Sequence, residues 1–458
     1  MYYPILRAIK YKSESIITTL GDGVNTYGTP LSIKPSEARK ALNLSSRKLP
    51  ALCVRQGRTG FASSITTPNA MGERNNERLH VQDGTVWKYW NGSLWIDIQT
   101  GLTSAKGKIL DFVRGTDRKT ILMNGTDKYS WDGTTITSLT QAPATNKFTV
   151  HKGRVYALVG TTIKFSALNN IDDWTTVNDA GEINITNAKG SGTAITTYGG
   201  YVIAFTEYSM HLLYGTGPTN YELVEVPGNI GCISDKSVII CNNTLYFVSF
   251  DGIYAFKGGE PVKISHKVDE YFKNMNLAYK TSIVAGTVDN DLYIAIPSTA
   301  SSTGNDLIIR YDVLEDKWYP ENGYIVDFVT IGNKLYGVDK DGKIWDMVSG
   351  TNDDGTAISW YWESAPRFVK PSAKQTLSCL WVTYDLPTGS TLDIYISNSF
   401  DNEDWELVDS LTADANEQNK KVLIPIYKTN DIVWYRIKFV GTGQCTIHSL
   451  EEKYRIRE

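Results

Sequence analysis

The stretch LYGVDKDGKIWDM, residues 335–347, places two aspartates and a glycine at the spacing with which a calcium-binding loop begins. An EF-hand loop supplies a bidentate Glu at its twelfth position, because calcium takes about six to eight oxygen ligands. Gly350 stands at that position. Aromatic and β-branched residues flank Asp341-Gly342, and Asp-Gly is a frequent turn of a β-hairpin. The pattern therefore favours a hairpin, and we predict neither a metal site nor a bound cofactor.

Two pairs of acidic residues are the other candidates for chemistry, because glycoside hydrolysis uses two carboxylates about 5 to 10 Å apart. These are Asp172 with Asp173 and Glu315 with Asp316, and a tryptophan follows each pair closely. Both pairs lie in expected turns, where acidic residues are common for conformational reasons. The pattern favours structural turns, and an enzyme that degrades surface polysaccharide is the weaker alternative.

Histidine and cysteine show no catalytic arrangement. None of the five histidines has the sequence context of a nucleophile and its base. His80 and His211 lie between apolar residues, which is typical of packed structural histidines. The cysteines lack a C-x-x-C pair and are expected to be buried thiols; they are Cys53, Cys232, Cys241, Cys379 and Cys445. We therefore predict that the chain is not an enzyme.

A period of about 40 to 50 residues runs through the middle of the chain, and it is typical of a β-propeller. Each repeat has an apolar strand, a turn and a second strand with an aromatic residue. The repeats begin with LHVQDG at 79, TILMNG at 120, VYALVG at 155, YVIAFT at 201, LYFVSF at 245, LYIAIP at 292 and LYGVDK at 335. The sequence predicts an all-β fold in which residues 60–363 form seven blades, with six as the alternative count.

The glycines of the Asp-Gly and Asn-Gly turns in these repeats are expected to adopt positive φ, as at Gly84, Gly125, Gly252 and Gly342. AISWYWES, residues 357–364, is expected to close the last blade, and a strand from the N-terminal segment to close the first. SHKVDEYFKNM, residues 265–275, has the apolar spacing of a short helix.

Residues 364–458 change to a plain alternation of apolar and polar residues, typical of a C-terminal β-sandwich. Leu392, Ile394 and Ile396 are expected to face one way. The acidic turn NSFDNEDWELV, residues 398–408, resembles turns of sandwich modules, some of which bind carbohydrate. We expect Trp405 to pack in the core, because an aromatic residue in a strand usually does.

The N-terminal segment carries an unusual share of positive charge. Residues 1–60 contain ten Lys and Arg against three acidic residues, a net charge of +7, which leaves −11 for the remainder of a chain whose total is −4. PSEARKALNL, residues 35–44, is expected to form a short helix in this segment. Residues 1–59 are therefore predicted to be an extended basic arm that docks on an acidic surface or on nucleic acid, and a solvated basic tail without a specific partner is the alternative.

No run of about 20 apolar residues is present, so we expect no membrane insertion. MYYPILRAIKYKSES lacks the features of a secretory signal, which favours synthesis in a cytoplasm.

The order of these parts resembles a known family. A segment with PSEARKALNL and RKLPALCVRQGRTGF precedes a loose propeller with phrases such as LYFVSFDGIYAFKGGEPVKISHKVDEYF, and a sandwich ends in WYRIKFVGTGQCTIHSLEEKYRIRE. Together they resemble the tail nozzle, or packaged-DNA stabilisation, proteins of tailed bacteriophages. A Gln-Gly pair, Gln56-Gly57, stands where that family has a Pro-Gly turn.

The resemblance implies a structural subunit of the virion tail, made in the host bacterial cytoplasm. Such subunits form a homo-oligomeric ring, commonly a hexamer, that extends the ejection channel and helps to retain packaged DNA. Partners would be other tail or portal-adaptor proteins, with double-stranded DNA passing through without specific binding. The alternative is a phage baseplate or fibre protein that binds a host surface glycan.

If the chain is such a subunit, its N-terminal segment is expected to meet acidic groups of a neighbouring subunit or of the adaptor. The cations would be supported by burial of nearby leucines. The expected contact residues are Arg39, Lys40, Leu42, Leu44, Arg47 and Lys48.

Overall fold

The structure is a computed structural model, and it describes residues 12–368, 374–427 and 432–457. It contains two compact units. The repeat unit comprises residues 59–314 and 323–348, and the terminal unit comprises residues 1–58, 315–322 and 349–458.

Both units are built from antiparallel strands, and the helices are short. The α-helix is Asp269–Asn274, and the 3₁₀ turns are Pro30–Ser32, Pro218–Asn220, Asp235–Ser237, His266–Val268 and Leu277–Ser282. None of the helices in the described residues has the length and apolarity needed to cross a bilayer.

The repeat unit is a propeller-like series of antiparallel sheets, most of them four-stranded. The first five groups are Pro68–Arg74, Arg78–Asp83, Val86–Trp90, Trp95–Gln99; Lys108–Arg114, Asp117–Met123, Lys128–Trp131, Ile136–Ser138; Phe148–His151, Arg154–Val159, Thr162–Phe165, Gly181–Asn184; Gly192–Tyr198, Tyr201–Thr206, Met210–Tyr214, Glu222–Glu225; and Ile239–Cys241, Thr244–Ser249, Gly252–Phe256, Val262–Lys263. The next strands are Val284–Val288, Asp291–Ile296 and Leu307–Asp312. The last group is Ile325–Ile331, Lys334–Asp339 and Ile344–Asp346, completed by Thr59–Gly60.

Each of the seven repeated phrases found in the sequence forms the second strand of its group. These strands are largely buried because sheet neighbours cover both of their edges and other groups cover their faces. All six residues of Thr244–Ser249, for example, are buried. The sequence period therefore located the centre of each sheet correctly.

The series of sheets closes on itself. The first strand of the first group, Pro68–Arg74, contacts both Lys108–Arg114 and Ile325–Ile331. The first and last groups also share one apolar cluster, whose buried members are Ile65, Met71, Leu79, Val81, Tyr336, Val338 and Ile344. Closure joins the two ends of the series by apolar burial as well as by the backbone pairing of Thr59–Gly60 with Trp345 and Asp346.

The turns of the repeat unit depend on glycine, as predicted. Gly84, Gly125, Gly252 and Gly342 all have positive φ, between 55° and 144°. At Gly342 (φ 81°) a Cβ would also collide with the carbonyl oxygen of Ile65. Glycine is therefore required at this position both by backbone conformation and by close packing.

The stretch that resembled a calcium loop is a β-hairpin, which confirms the favoured interpretation. Strands Lys334–Asp339 and Ile344–Asp346 pair in antiparallel register around the turn. Asp339 Oδ1 accepts hydrogen bonds from the backbone N–H groups of Asp341 and Lys343, both at 2.9 Å. Its Oδ2 accepts one from Trp345 Nε1 at 2.9 Å. The first carboxylate of the motif thus stabilises the turn.

The expected helix at residues 265–275 is confirmed, with a different start. A 3₁₀ turn, His266–Val268, precedes the α-helix Asp269–Asn274. The Ser265 hydroxyl does not cap it in the usual way, since it accepts from the N–H of Ile253 at 3.0 Å and donates to Asp269 Oδ1 at 3.2 Å.

The terminal unit contains two antiparallel sheets. One has the order Ala38–Leu42, Ser359–Ser364, Arg436–Thr442, Thr391–Ser397, Glu406–Thr412. The other has the order Leu44–Ser45, Leu52–Val54, Thr446–Arg457, Lys374–Leu386, Glu417–Pro425, and Lys12–Ile17 also pairs with Thr446–Arg457. A further strand of this unit, Lys317–Asn322, contacts Ala38–Leu42 and Leu44–Ser45. Leu392, Ile394 and Ile396 are all buried, as the alternation predicted.

The prediction of a helix at residues 35–44 is wrong. The segment forms the strands Ala38–Leu42 and Leu44–Ser45, separated by Asn43 at φ 60°. The first strand pairs with Ser359–Ser364, which is more than 300 residues away in the sequence. This long-range pairing overrides the local helix preference of the alanines and charged residues, a preference worth only tenths of a kcal/mol per residue.

The prediction of a separate arm at residues 1–59 is also wrong for its described part. Residues 12–58 supply strands to both sheets of the terminal unit. The expected boundary at 363/364 moves to 348/349, and residues 315–322 join the same unit. AISWYWES does not close a blade, since Ser359–Ser364 lies between Ala38–Leu42 and Arg436–Thr442. Thr59–Gly60 completes the last sheet of the repeat unit, whereas a strand of this segment was expected in the first blade.

Candidate functional site

The structure places two of the predicted assembly cations against acidic groups of their own chain. Arg39 forms an ion pair with Asp401 at 2.5 Å, and Lys40 forms one with Glu403 at 2.6 Å. The hydrogen bond from Arg39 lowers the pKa of Asp401. The hydrogen bond from Lys40, followed by one from the indole of Trp405, lowers the pKa of Glu403 to about 2. These two cations were expected to meet acidic groups of a neighbouring subunit or of the adaptor, but they pair with acids of their own chain.

The other four predicted assembly residues do not form one surface patch. Leu44 is buried in the terminal unit, with 2% of its surface exposed, and Leu42 is half-buried. Lys48 Nζ donates to Thr446 Oγ1 at 2.9 Å. Arg47 is exposed. Leu44 is therefore a core residue of its own chain. It is not available for burial against another subunit, as the assembly prediction required.

Part of the positive charge counted in residues 1–60 is buried. Arg55 pairs with Asp353 at 2.6 Å, and its Nε donates to Asn43 Oδ1 at 2.9 Å. Arg58 pairs with Glu321 at 2.7 Å. Removing one partner of a buried pair usually costs about 3 to 5 kcal/mol, since it leaves an uncompensated charge. These arginines hold the N-terminal segment to the rest of the terminal unit and contribute little to an exposed basic surface.

Trp405 does not pack in the core as expected. It is half-buried, and its Nε1 donates to Glu403 Oε2 at 2.9 Å. The Arg436 guanidinium carbon lies 4.5 Å from the centroid of the Trp405 ring, and Lys438 Nζ lies 5.2 Å from it. Arg436 alternates along the chain with the apolar residues Tyr435 and Ile437, yet its side chain is fully buried and pairs with Glu363 at 3.0 Å.

The repeat unit contains a cavity of about 200 Å³ that sequence reasoning did not identify. Its lining comes from the chain segments that lead into, or begin, the first strands of successive groups. The lining residues include Lys106, Gly107, Asn146, Lys147, Thr193, Asp235, Lys236, Ser282 and Val326. A lysine stands shortly before the first strand in several repeats. Alignment of the repeats on their strands would have revealed this recurring lysine.

Two carboxylates at this cavity are held by both the backbone and lysines. Asp235 Oδ2 pairs with Lys108 at 2.8 Å, while its Oδ1 accepts from the N–H of Ile195 at 3.0 Å. Asp327 Oδ2 pairs with Lys236 at 2.5 Å and accepts from the N–H of Met71 at 2.7 Å. Asp235 lines the cavity and Asp327 follows the lining residue Val326, and neither carboxylate forms an ion pair with Lys106.

The remaining lysines of the cavity differ in their partners. Lys147 Nζ donates to the carbonyl oxygen of Gly192 at 2.7 Å. Lys106 is exposed to solvent at the cavity and makes no ion pair or side-chain hydrogen bond with any described residue. Incomplete solvation among the surrounding protein atoms, and then the charge of Lys236, lower the pKa of Lys106 to about 8. The cavity therefore has more positive than negative charge.

The acidic pairs considered for glycoside hydrolysis, at residues 172–173 and 315–316, lie in turns. Asp173 Oδ1 accepts from the N–H groups of Thr175 at 3.1 Å and Thr176 at 3.0 Å. Asp172 lies in the same turn, and Asp316 occupies a turn with φ 52°. Neither these residues nor Glu315 lines the cavity.

The histidines singled out in the sequence are packed in the repeat unit, as predicted. His80 is buried between Trp87, Tyr89 and Trp131, with ring centroids 5.4 to 6.0 Å away. Burial lowers its pKa to about 3, which keeps the ring neutral at physiological pH. His211 is also buried, and its Nε2 lies 2.9 Å from Ser209 Oγ.

The cysteines form no disulfides, and four of the five are buried, with Cys379 half-buried. Burial raises the pKa of the Cys232 thiol to about 12, so it is neutral and unreactive at physiological pH. Among the described residues, no group of three or more His, Cys, Asp or Glu side chains could hold a metal ion.

No protein-family model matches the chain, and no curated protein matches it. Solved structures similar to it include streptogramin B lyase, at 14% identity and a TM-score of 0.42, covering 63% of this chain and 96% of the other. BamB from Moraxella catarrhalis is 11% identical with a TM-score of 0.40, covering 68% and 97%. The extracellular domain of a putative hybrid two-component system from B. thetaiotaomicron is 8% identical with a TM-score of 0.42, covering 80% and 47%. At these values the matches assign no family and no activity to the chain.

Proposed function

We propose that the chain is a non-enzymatic ring subunit of a bacteriophage tail nozzle or hub, located in the virion tail. In this role it forms part of the DNA ejection channel and helps to retain packaged DNA. The observation that carries the proposal is the order of parts along the sequence, which resembles that family over nearly the whole chain. The all-β architecture supports it, because closed series of sheets offer large rigid surfaces for assembly.

The finer architecture in this proposal is a seven-bladed β-propeller followed by a β-sandwich. Seven apolar phrases that each form a second strand support the blade count. The pairing of Thr59–Gly60 with Trp345–Asp346 supports closure by a strand from the start of the chain. Two antiparallel sheets with apolar residues on alternate positions support the sandwich.

The partners in this proposal are further copies of the chain, in a ring of six, and other tail or portal-adaptor proteins. Arg47 and Lys48 are adjacent and exposed among the residues predicted for assembly, and Lys40 is exposed as well. Double-stranded DNA passes through the ring without specific binding. An excess of acidic residues after residue 60 favours this, since phosphates are repelled by negative surfaces.

Electron microscopy of the purified chain, together with light scattering on a size-exclusion column, tests the proposal. We expect rings of six copies, formed alone or on addition of portal-adaptor protein. A chain that stays monomeric with the adaptor, and that is absent from tails of the parent particle, would rule the proposal out.

The alternative function is binding of a host surface glycan, and the half-exposed Trp405 is the observation that favours it. Aromatic rings beside hydrogen-bonding groups commonly hold ligands at protein surfaces. A glycan array with the wild-type chain and Trp405→Ala distinguishes the two functions. Binding that disappears in the variant, in a chain that forms no rings, would support the alternative.

A further inference from the structure

The cavity of the repeat unit holds more cations than its carboxylates can neutralise. Lys106, Lys147 and Lys236 line it, and Lys108 reaches its Asp235. Asp235 and Asp327 each already accept one lysine and one backbone N–H. Neither acid forms an ion pair with Lys106, so its exposed ammonium has no hydrogen-bond or ion-pair partner among the described residues.

A charge in this position favours an anion. Protein walls of low dielectric on several sides strengthen the field of a charge compared with a flat surface. Lys106 and Lys236 also repel each other, which contributes to the lowered pKa of Lys106. An anion placed between them would remove this repulsion, and it would restore the pKa of Lys106 toward its ordinary range.

The cavity also offers a hydroxyl that has no protein partner. Thr193 Oγ1 is buried and makes no hydrogen bond with any described residue. Leaving a buried polar group unpaired costs about 1 to 3 kcal/mol. Thr193 belongs to the cavity lining, so rotation of its side chain would present this hydroxyl to a bound oxygen atom.

We propose that this cavity is a binding site for a small oxyanion of the phosphate class, held by the ammonium groups of Lys106 and Lys236 and by the Thr193 hydroxyl. The size of the ligand follows from the cavity. Its volume of about 200 Å³ lies below the roughly 300 to 1,000 Å³ of pockets for drug-sized ligands. This site does not depend on the proposed tail function, because all of its lining residues belong to the repeat unit of one chain.

Calorimetric titration of the full chain with inorganic phosphate at pH 7, against sodium chloride of equal ionic strength, tests the site. We expect saturable binding with one phosphate per chain. Lys106→Gln should weaken the affinity at least tenfold, because it removes the unpaired charge and keeps a side chain of similar length. Thr193→Val should weaken it several-fold through loss of the donor.

Lys257→Gln is the matched control, because Lys257 is an exposed lysine of the same unit that does not line the cavity. It should bind phosphate like the wild type, and melting temperatures establish that each variant is folded. A parallel titration with malonate determines whether carboxylates are also accepted. The proposal is overturned if the wild type does not bind phosphate saturably, whatever malonate does, or if Lys106→Gln and Thr193→Val both bind phosphate as tightly as the wild type.

Discussion

At the scale of single residues, burial decides what a charged side chain does. Lys40 and Glu403 are about half exposed, whereas Arg436 and Glu363 are almost completely buried. Exposed ion pairs contribute about 0 to 1 kcal/mol, but an uncompensated buried charge costs several times more. The sequence alone does not distinguish the exposed cation Lys40 from the buried cation Arg436, because both stand beside apolar residues along a strand.

We therefore expect Arg436→Gln to lower the free energy of unfolding by about 3 to 5 kcal/mol, because it leaves the buried Glu363 without its ion-pair partner. Lys164→Gln, the control at the exposed pair with Glu182, should lower it by less than about 1 kcal/mol. Urea denaturation of both variants measures the difference. Similar losses in the two variants would show that the buried pair has no special weight.

His80 makes stability depend on pH. Its pKa is about 3 in the folded chain against 6.5 in the unfolded chain, so between these values only the unfolded state binds the proton. Stability is therefore lost as pH falls below about 6.5, by up to roughly 1.4 kcal/mol per pH unit. His80→Phe should lose less stability than the wild type between pH 7 and pH 5 in urea titrations. An unchanged pH dependence in His80→Phe would contradict the assignment of His80 as a buried neutral histidine.

At the scale of elements, turn geometry and strand pairing set the register of each sheet. Gly252 has φ 144°, and a Cβ at this position would collide with the Ser265 hydroxyl, which itself bonds to the N–H of Ile253. Gly258 also has positive φ, but it has open space around it. A substitution at Gly258 therefore introduces backbone strain alone, whereas one at Gly252 introduces both strain and a steric clash.

We expect Gly252→Val to destabilise the chain by at least about 1 to 3 kcal/mol, the usual cost of a strained backbone conformation. Gly258→Val should cost less, because it adds no clash. Thermal unfolding of both variants tests this. Calcium should leave the melting temperature of the chelated wild type unchanged, and a rise of several degrees would contradict the hairpin assignment of residues 335–347.

At the scale of the whole molecule, the start of the chain belongs to the fold. The deletion of residues 1–50 would remove Lys12–Ile17, Ala38–Leu42 and Leu44–Ser45 from the sheets of the terminal unit. It would also remove Asn43, whose side chain accepts from Arg55 and donates to the carbonyl of Ser359. An arm was expected to be removable, but these strands are not.

Deleting residues 1–50 should therefore lower the stability and protease resistance of the terminal unit. The repeat unit should stay folded, because Thr59–Gly60 remains. Calorimetry and limited proteolysis measure the two units separately. The matched control is the double variant Arg47→Gln with Lys48→Gln, which removes exposed charge but keeps every strand. Equal stability of the deletion and the full chain would contradict this prediction.

The sequence by itself determined the features that depend on neighbouring residues. Strand–turn–strand repeats, the hairpin at residues 335–347 and the glycines at positive φ follow from local sterics and from apolar alternation. The short helix at residues 269–274 was visible for the same reason. Burial of His80 was foreseen because apolar residues flank it along a strand.

Only the tertiary structure decided which distant segments pair. Residues 38–42 became a strand because Ser359–Ser364 offers an open edge, and Arg39 and Lys40 found their acids on the loop at residues 401–403. The lysine cavity exists because segments about 40 residues apart converge where the first strands begin. Such contacts depend on the free energy of the whole folded chain, which local propensities of a few tenths of a kcal/mol do not determine.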